Sequence, residues 1–183
     1  MSTTRSLSPS AQDPIADNFL ACASARLHQS QATIATCLHK LSSLPEAEAR
    51  LWQRGGDHEN SVANLLLHLE GNLRQWILHG IDNQPDIRQR DAEFTLTPTA
   101  SSADAHARFN LTLDESARVI AALDPARLLL IIDPQPTGLA RHLTILEAIF
   151  KVVAHVDMHT GQIILLTKQL TAADLNLTLP RKL

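Results

Sequence analysis

Apolar residues recur at spacings of three, four and seven along four long segments of this chain, the pattern of amphipathic α-helices. In the first segment Leu20, Leu27 and Ile34 lie seven residues apart. In the second, Leu66, Leu69 and Leu73 form a broad apolar stripe. The pattern predicts long helices over residues 15–44, 61–79, 102–123 and 144–170. It therefore predicts an all-α protein built as a four-helix bundle.

Capping residues support the ends of these helices. Asp13 before Pro14 is typical of an N-cap followed by proline at the first helical position. Thr144 with Glu147 three residues later predicts a capping box, in which each side chain bonds the other residue's free backbone N–H. Gly80 stands where a C-terminal glycine is expected.

The segments between the helices carry weaker patterns. Residues 46–60 predict a short helical turn and a loop, and residues 81–100 predict irregular structure. In the connection 124–143, the apolar run 128–132 fits either a short strand or a buried loop. Residues 1–12 are rich in Ser and Thr and are expected to be a disordered tail. Residues 13–183 are expected to form one domain.

Composition narrows the class of protein. Aromatic residues make up 3% of the 183 residues and tyrosine is absent, so aliphatic side chains must build the core. The net charge is −3, so there is no excess of basic residues to bind a nucleic acid, and no nucleic-acid partner is expected. Neither a signal peptide nor a transmembrane segment is expected, and we predict a cytoplasmic protein without membrane contact. Cys22 and Cys37 are too far apart on one helix to form a disulfide.

Three of the nine histidines form a candidate metal site. His155 and His159 are four residues apart, so both leave the same face of the last helix and could bind one ion. His68 lies among leucines in the middle of the second helix, where its ring nitrogens need partners. The alternatives are two solvated or hydrogen-bonded histidines and a buried His68 bonded to one polar neighbour. Ligands on facing helices are how helix bundles build metal sites.

Two better-known helical metal motifs do not fit. The residues between His155 and His159 are Val, Asp and Met, so the glutamate of a zinc-protease helix is missing. Glu70 and Glu147 have no histidine three residues later, as a di-iron bundle would require.

Three stretches resemble the DinB-like (YfiT-like) superfamily of metal-binding four-helix bundles, and an uncharacterised bacterial branch of it in particular. They are NSVANLLLHLEGNLRQWILHGI, the following RDAEF, and VVAHVDMHTGQIILLTKQL. The string H-x-x-x-H-x-G-Q-I is the most specific of these features, together with a lone histidine in the middle of the second long helix. The similarity extends over residues 15–175.

The resemblance implies a bundle of up-down-down-up order and a homodimer. It implies one divalent ion, zinc or nickel, held by His68, His155 and His159 with open positions for water or substrate. Gln162 matches the Gln of the GQI string and is expected to lie near the metal, where it would contact the ligands without binding the ion. The superfamily includes transferases that use low-molecular-weight thiols, so such a thiol is a further candidate cofactor.

We therefore expect a metal-dependent enzyme that acts on a small molecule, either a thiol-dependent S-transferase or a hydrolase. The alternative is a non-catalytic metal-binding or stress-response module, in which a fourth protein ligand would close the site. His79 lies three turns from His68, too far to share an ion. Only His142 remains, if its loop folds inward.

Two polar residues near His68 are further candidates. Asn72 and Gln75 share roughly the face of His68 and are candidates to orient a ligand, although a polar helix flank is the more common reason for such residues. Asp157 and Glu70 are expected to face away from the histidines.

Overall fold

The computed structural model describes residues 13–95, 100–133, 135–136 and 142–177. The predicted disordered tail, residues 1–12, lies outside these ranges. So do parts of the two predicted connections, namely residues 96–99, 134 and 137–141.

The described chain is helical, which confirms the predicted all-α class. Five α-helices follow one another: α1 (Pro14–Ser42), α2 (Ala47–Leu51), α3 (Val62–Leu73), α4 (Ser102–Ala121) and α5 (Ile145–Thr171). Arg74–His79 extends α3 as a π-helix, and Arg90–Phe94 and Pro125–Arg127 are 3₁₀-helices. The described ranges hold no strand, and the run 128–132 contributes only an isolated bridge between Ile131 and Thr144.

The predicted N-terminal caps are present. Asp13 accepts hydrogen bonds from the backbone N–H groups of Ile15 and Ala16. Thr144 and Glu147 form the predicted capping box at the start of α5. These caps satisfy backbone donors that the first turn of a helix leaves free.

The end of the second long helix differs from the prediction. Gly80 has a right-handed conformation, with φ −70°, so it is not a left-handed helix cap. A Cβ atom at Gly80 would lie 2.7 Å from the carbonyl oxygen of Trp76. The backbone of the preceding turn therefore leaves no room for a Cβ atom at Gly80. The apolar pattern of the sequence does not reveal this.

Four helices surround the core, with α1 and α3 each packed on both α4 and α5. Arg26 and Ser30 of α1 bond Asp157 of α5. Glu70 of α3 bonds Arg108 of α4, and one turn later Arg74 bonds Thr112. His28 and Gln31 of α1 pair with Asp114 and Asn110 of α4, in the opposite order along the chain. The buried core between them is aliphatic apart from Phe109 and Cys37.

Helix α3 is buried on nearly every side. It packs on α4, on α5 and on the 3₁₀-helix Arg90–Phe94. A helix that is apolar all round needs such cover, because it has no face suited to water. His68 and Glu70 are consequently buried polar residues that must find partners within the protein.

Helix α5 is, by length and composition alone, apolar enough to cross a membrane, with a mean hydropathy of 1.2 over its best 18 residues. That is weak evidence, because core helices pass the same test. Val152, Val156 and Ile163 of α5 belong to the core, whereas Phe150 and Met158 are exposed. The expected absence of membrane contact stays a prediction.

Candidate metal centre

The three candidate histidines lie together between α3 and α5. Nε2 of His155 is 3.1 Å from Nε2 of His68 and 3.0 Å from Nε2 of His159. His68 and His159 are buried and His155 is half-buried. Within the described residues these three form the group of metal-ligating side chains.

The geometry of the three rings fits a single ion. One ligand nitrogen of each ring lies within 4.8 Å of the other two, so His68, His155 and His159 could hold one ion together. Imidazole suits zinc, nickel, copper and iron alike, so the donor set does not select the metal.

The outer nitrogens of the rings show which nitrogens can bind. Nδ1 of His68 donates to Oε2 of Glu93 at 2.9 Å, and Nδ1 of His159 donates to Oε1 of Gln162 at 2.6 Å. Both rings therefore turn a lone pair on Nε2 toward His155. Nδ1 of His155 is buried without a hydrogen-bond partner. Two lone pairs that both face Nε2 of His155 are the electrostatic pattern that a cation between the rings would relieve.

The environment favours neutral rings at His155 and His159. Burial, together with the neighbouring His159, His68 and Arg88, lowers the pKa of His155 to about 4. Burial also lowers the pKa of His159, although the hydrogen bond that its Nδ1 donates to Gln162 opposes this shift. Because a metal binds the neutral imidazole, His155 and His159 are in the binding form near pH 7.

The carboxylates closest to the histidines in sequence point elsewhere. Asp157 accepts bonds from Arg26 and Ser30 of α1, and Glu70 accepts bonds from Arg74 and Arg108. Both predictions of an outward orientation agree with the structure. Neither carboxylate is placed to act as a base at the histidine cluster.

The supporting residues proposed from sequence divide into two groups. Gln162 bonds His159 directly. Gln75 instead accepts from Arg88 and donates to Asp86, so it reaches the histidines only through other residues. Asn72 has a buried Oδ1 without a hydrogen-bond partner and bonds none of the three histidines.

The two other histidines considered as ligands lie apart from the cluster. Nδ1 of His79 bonds the backbone carbonyl of Gln84. His142 is exposed, with φ 42°, and precedes α5. In the described part of the chain, no fourth protein ligand joins the three histidines.

Sequence reasoning missed Glu93 and its partner Arg88. Both are buried, with side-chain exposures of 7% and 5%. Burial raises the pKa of Glu93, but hydrogen bonds from Arg88 and His68 outweigh it and leave the pKa below its usual value. The available signal was the RDAEF string itself, which places a glutamate just before an aromatic residue. Phe94 then packs on His68, with ring centroids 4.9 Å apart.

Two cavities flank the centre, and each reaches a residue that supports a histidine. One, of about 300 Å³, lies between α3, α4 and the segment before α4, and touches Glu93, Arg88 and Arg74. The other, of about 330 Å³, lies along α3 and α5 and touches Gln162 and Leu65. Each cavity thus borders a residue that bonds a histidine, whereas none of the three histidines lines either cavity.

The comparison with known families adds a family assignment. The family described as "Protein of unknown function (DUF1572)" matches residues 14–183, nearly the whole chain. The chain belongs to the DUF1572 family. This match includes the three histidines, Glu93 and Gln162 of this DUF1572 protein. Neither a curated protein nor a solved structure matches the chain.

Proposed function

We propose that this DUF1572 protein belongs to the DinB-like (YfiT-like) superfamily and binds one divalent metal ion, zinc or nickel, through His68, His155 and His159. We further propose that it is a metal-dependent enzyme acting on a small molecule, either a thiol-dependent S-transferase or a hydrolase. The alternative is a metal-binding or stress-response module without catalysis.

The order of the helix contacts supports an up-down-down-up four-helix bundle. Arg26 of α1 meets Asp157 of α5, and further along both helices Cys37 meets Thr167, so these helices are parallel. The Glu70–Arg108 and Arg74–Thr112 pairs indicate the same for α3 and α4. Contacts between α1 and α4 run in opposite directions along the chain.

The convergence of three Nε2 atoms within hydrogen-bonding distance carries the metal proposal. Three side chains that each prefer a donor partner face one another instead, and two are locked in place through their outer nitrogens. A hydrogen-bonded cluster would satisfy only one of the inner lone pairs through His155. One cation satisfies all three, and the absence of a fourth ligand from the described residues favours an open site.

The residues around the centre would have two roles: some would bind the ion, and others would orient the histidines. When bound, a divalent ion would supply Lewis acidity and lower the pKa of a water or thiol at an open position. Glu93 and Gln162 hold the outer nitrogens of His68 and His159. Phe94 packs against His68 with its ring tilted by 46° and the ring centroids 4.9 Å apart. Among the described residues, no carboxylate bonds an inner Nε2 atom of the cluster.

Metal content of protein purified without chelator tests the first step. Wild type should carry about one zinc or nickel ion per chain, and His155→Ala should lose it while remaining helical. His106→Ala is the matched control, because His106 is half-buried and bonds Asn110 away from the cluster. Wild type without metal, even after incubation with Zn²⁺ or Ni²⁺, would refute the proposal.

Turnover distinguishes the enzyme from the module. The metal-loaded protein should consume a low-molecular-weight thiol in the presence of an electrophilic small molecule, or release acid from a small ester, and His155→Ala should do neither. A protein that holds its metal but shows no turnover across thiols, electrophiles and esters would favour the non-catalytic module.

We also propose a cytoplasmic homodimer without nucleic-acid or membrane partners. Phe150, Met158 and Leu165 lie on one side of α5 with more than half of each side chain exposed, which suits contact with a second copy. Sedimentation analysis of wild type and Met158→Glu would test it, since a charge on this face should shift a dimer toward monomer.

A further inference from the structure

Glu93 makes a set of contacts that link the histidine cluster to the segment before α4. Its Oε2 accepts from Nδ1 of His68 at 2.9 Å. Nε and Nη2 of Arg88 donate to its two carboxylate oxygens at 2.7 and 2.8 Å. This is the two-point geometry that Arg and a carboxylate prefer. Arg88 thus balances the charge of the buried Glu93, and Oε2 of Glu93 also accepts the hydrogen bond from His68.

The backbone around Glu93 is held as firmly as its side chain. Asn64, in the first turn of α3, donates to the carbonyl of Glu93 at 2.9 Å. Arg54 donates to the carbonyls of Phe94 and Thr95, at 2.8 Å each. Arg88 is in turn held by Gln75 of the π-helix, whose Oε1 accepts from Nη1 at 2.9 Å. The 3₁₀-helix Arg90–Phe94 therefore presents its carboxylate from a fixed position.

The contacts also determine which nitrogen of His68 carries the proton. A carboxylate paired at two points with Arg88 has no proton to donate, so the hydrogen in the 2.9 Å contact must come from Nδ1 of His68. Nη2 of Arg88 lies 3.3 Å from the same Nδ1, but two N–H donors cannot bond each other. The lone pair of His68 is consequently on Nε2, the atom that faces His155 and His159.

We propose that Glu93 is a positioning residue for the metal centre, which keeps His68 in its Nδ1–H tautomer with Nε2 aimed at the ion, and that Arg88 holds Glu93 for this task. This inference rests on the proposed metal site. It makes the irregular segment between α3 and α4 part of the centre, although that segment supplies no ligand.

A structural role alone would have different consequences. The Arg88–Glu93 pair could merely fasten residues 88–93 to α3, as Glu70 fastens Arg74 and Arg108 to the same helix. Glu70 is the matched comparison, because it is a buried, arginine-paired carboxylate of α3 that bonds no histidine. Loss of either carboxylate should affect stability, but only loss of Glu93 should affect His68.

The first measurement is the affinity for Zn²⁺, by competition with a chromophoric chelator, for wild type, Glu93→Gln and Glu70→Gln. A glutamine at position 93 can donate to Nδ1 as well as accept from it, so it no longer enforces the tautomer. We expect a 10- to 100-fold loss of affinity for Glu93→Gln, the usual effect of removing such a partner. Glu70→Gln should stay within about threefold of wild type. Equal losses in both variants would overturn the proposal.

The second measurement needs no metal. Nitrogen-15 NMR of the imidazole rings in chelator-treated protein should show His68 as the Nδ1–H tautomer in wild type and in Glu70→Gln. In Glu93→Gln, His68 should show a mixture of tautomers. An unchanged tautomer in Glu93→Gln would overturn the proposal, even if zinc affinity fell.

The two measurements separate this inference from the metal proposal itself. If wild type binds no zinc, the proposed function fails, while the tautomer of His68 still tests the role of Glu93. Should Glu93→Gln not fold, Arg88→Gln keeps both Glu93 and His68 and removes only the support. It should then weaken zinc binding more than Glu70→Gln does, and equality of these two variants would overturn the proposal.

Discussion

Asp157 lies between two candidate ligands along α5, yet its Oδ1 accepts a hydrogen bond from Oγ of Ser30 on α1 at 2.6 Å. Ser30 is almost fully buried, and Arg26 adds a second bond to the same carboxylate. One turn of α5 therefore carries ligands toward α3 and a packing contact toward α1. The two functions can be separated by mutation.

We expect Asp157→Ala to lower the free energy of unfolding by about 1–3 kcal/mol, because it leaves the hydroxyl of Ser30 buried without a partner. Chemical denaturation would measure this loss. Ser30→Ala should lower the free energy of unfolding less, because it removes the hydroxyl that needs a partner. Metal content should remain that of wild type. Loss of the metal at intact fold would instead assign Asp157 to the centre.

Gln162 holds the outer nitrogen of His159 from an exposed position on α5. We expect Gln162→Ala to weaken Zn²⁺ binding by about tenfold, because His159 then loses the partner that fixes its ring. The affinity is measured by chelator competition. Gln169→Ala is the control, since Gln169 lines the same cavity two turns later without a bond to a histidine. Equal affinities of the two variants would contradict the assignment.

Two helical glycines offer a test of the space around Glu93. A Cβ atom at Gly71 would lie 2.2 Å from Oε1 of Glu93, whereas a Cβ atom at Gly161 would meet nothing within 4 Å. Gly71→Ala should displace the carboxylate from Arg88 and His68, and we expect at least a tenfold loss of Zn²⁺ affinity.

Gly161→Ala serves as the control for helix propensity. It should keep the affinity for Zn²⁺ and raise the free energy of unfolding by up to about 1 kcal/mol, because alanine is the better helix former. If Gly71→Ala bound Zn²⁺ as well as Gly161→Ala does, Glu93 would have more freedom than its contacts imply.

The metal-free protein should lose stability in acid through His155. Its pKa falls from 6.5 to about 4 on folding, so between these values the unfolded chain takes up a proton that the folded chain does not. The unfolded state is thereby favoured as pH falls, by on the order of 2–3 kcal/mol at the lower end of this window. Above pH 6.5 the contribution vanishes.

Denaturation of chelator-treated protein between pH 7.5 and 4.5 measures this effect. His155→Gln cannot take up the proton, so its stability should fall less steeply than that of wild type over this range. Parallel curves for the two proteins would show that His155 is not held neutral by the fold.

The sequence predicted the helices and the histidines because both depend on local rules. Apolar spacing identifies the four long helices, and a spacing of four places His155 and His159 on one face whatever surrounds them. His68 was identified by the contrast between an imidazole and the leucines beside it. The meeting of α3 and α5 followed from the bundle, which is the commonest way to bury four such helices.

Local sequence patterns could not predict the residues that support the histidines. Glu93 lies 25 residues after His68 in a segment without periodicity, and its position depends on bonds from Arg88, Asn64 and Arg54. The π-helix at Arg74–His79 was missed for a related reason. Its apolar residues continue those of α3, so the wider turn leaves no mark on the hydrophobic pattern.

His68 and His155 are separated by 87 residues, more than 40% of the chain, and yet their rings touch. An ion held by both would tie an early helix to the last one and close a long loop of the unfolded chain. The centre would then act as a cross-link that forms late in folding, once α5 has docked. Removal of the ion with a chelator should therefore destabilise the whole molecule and not only the site.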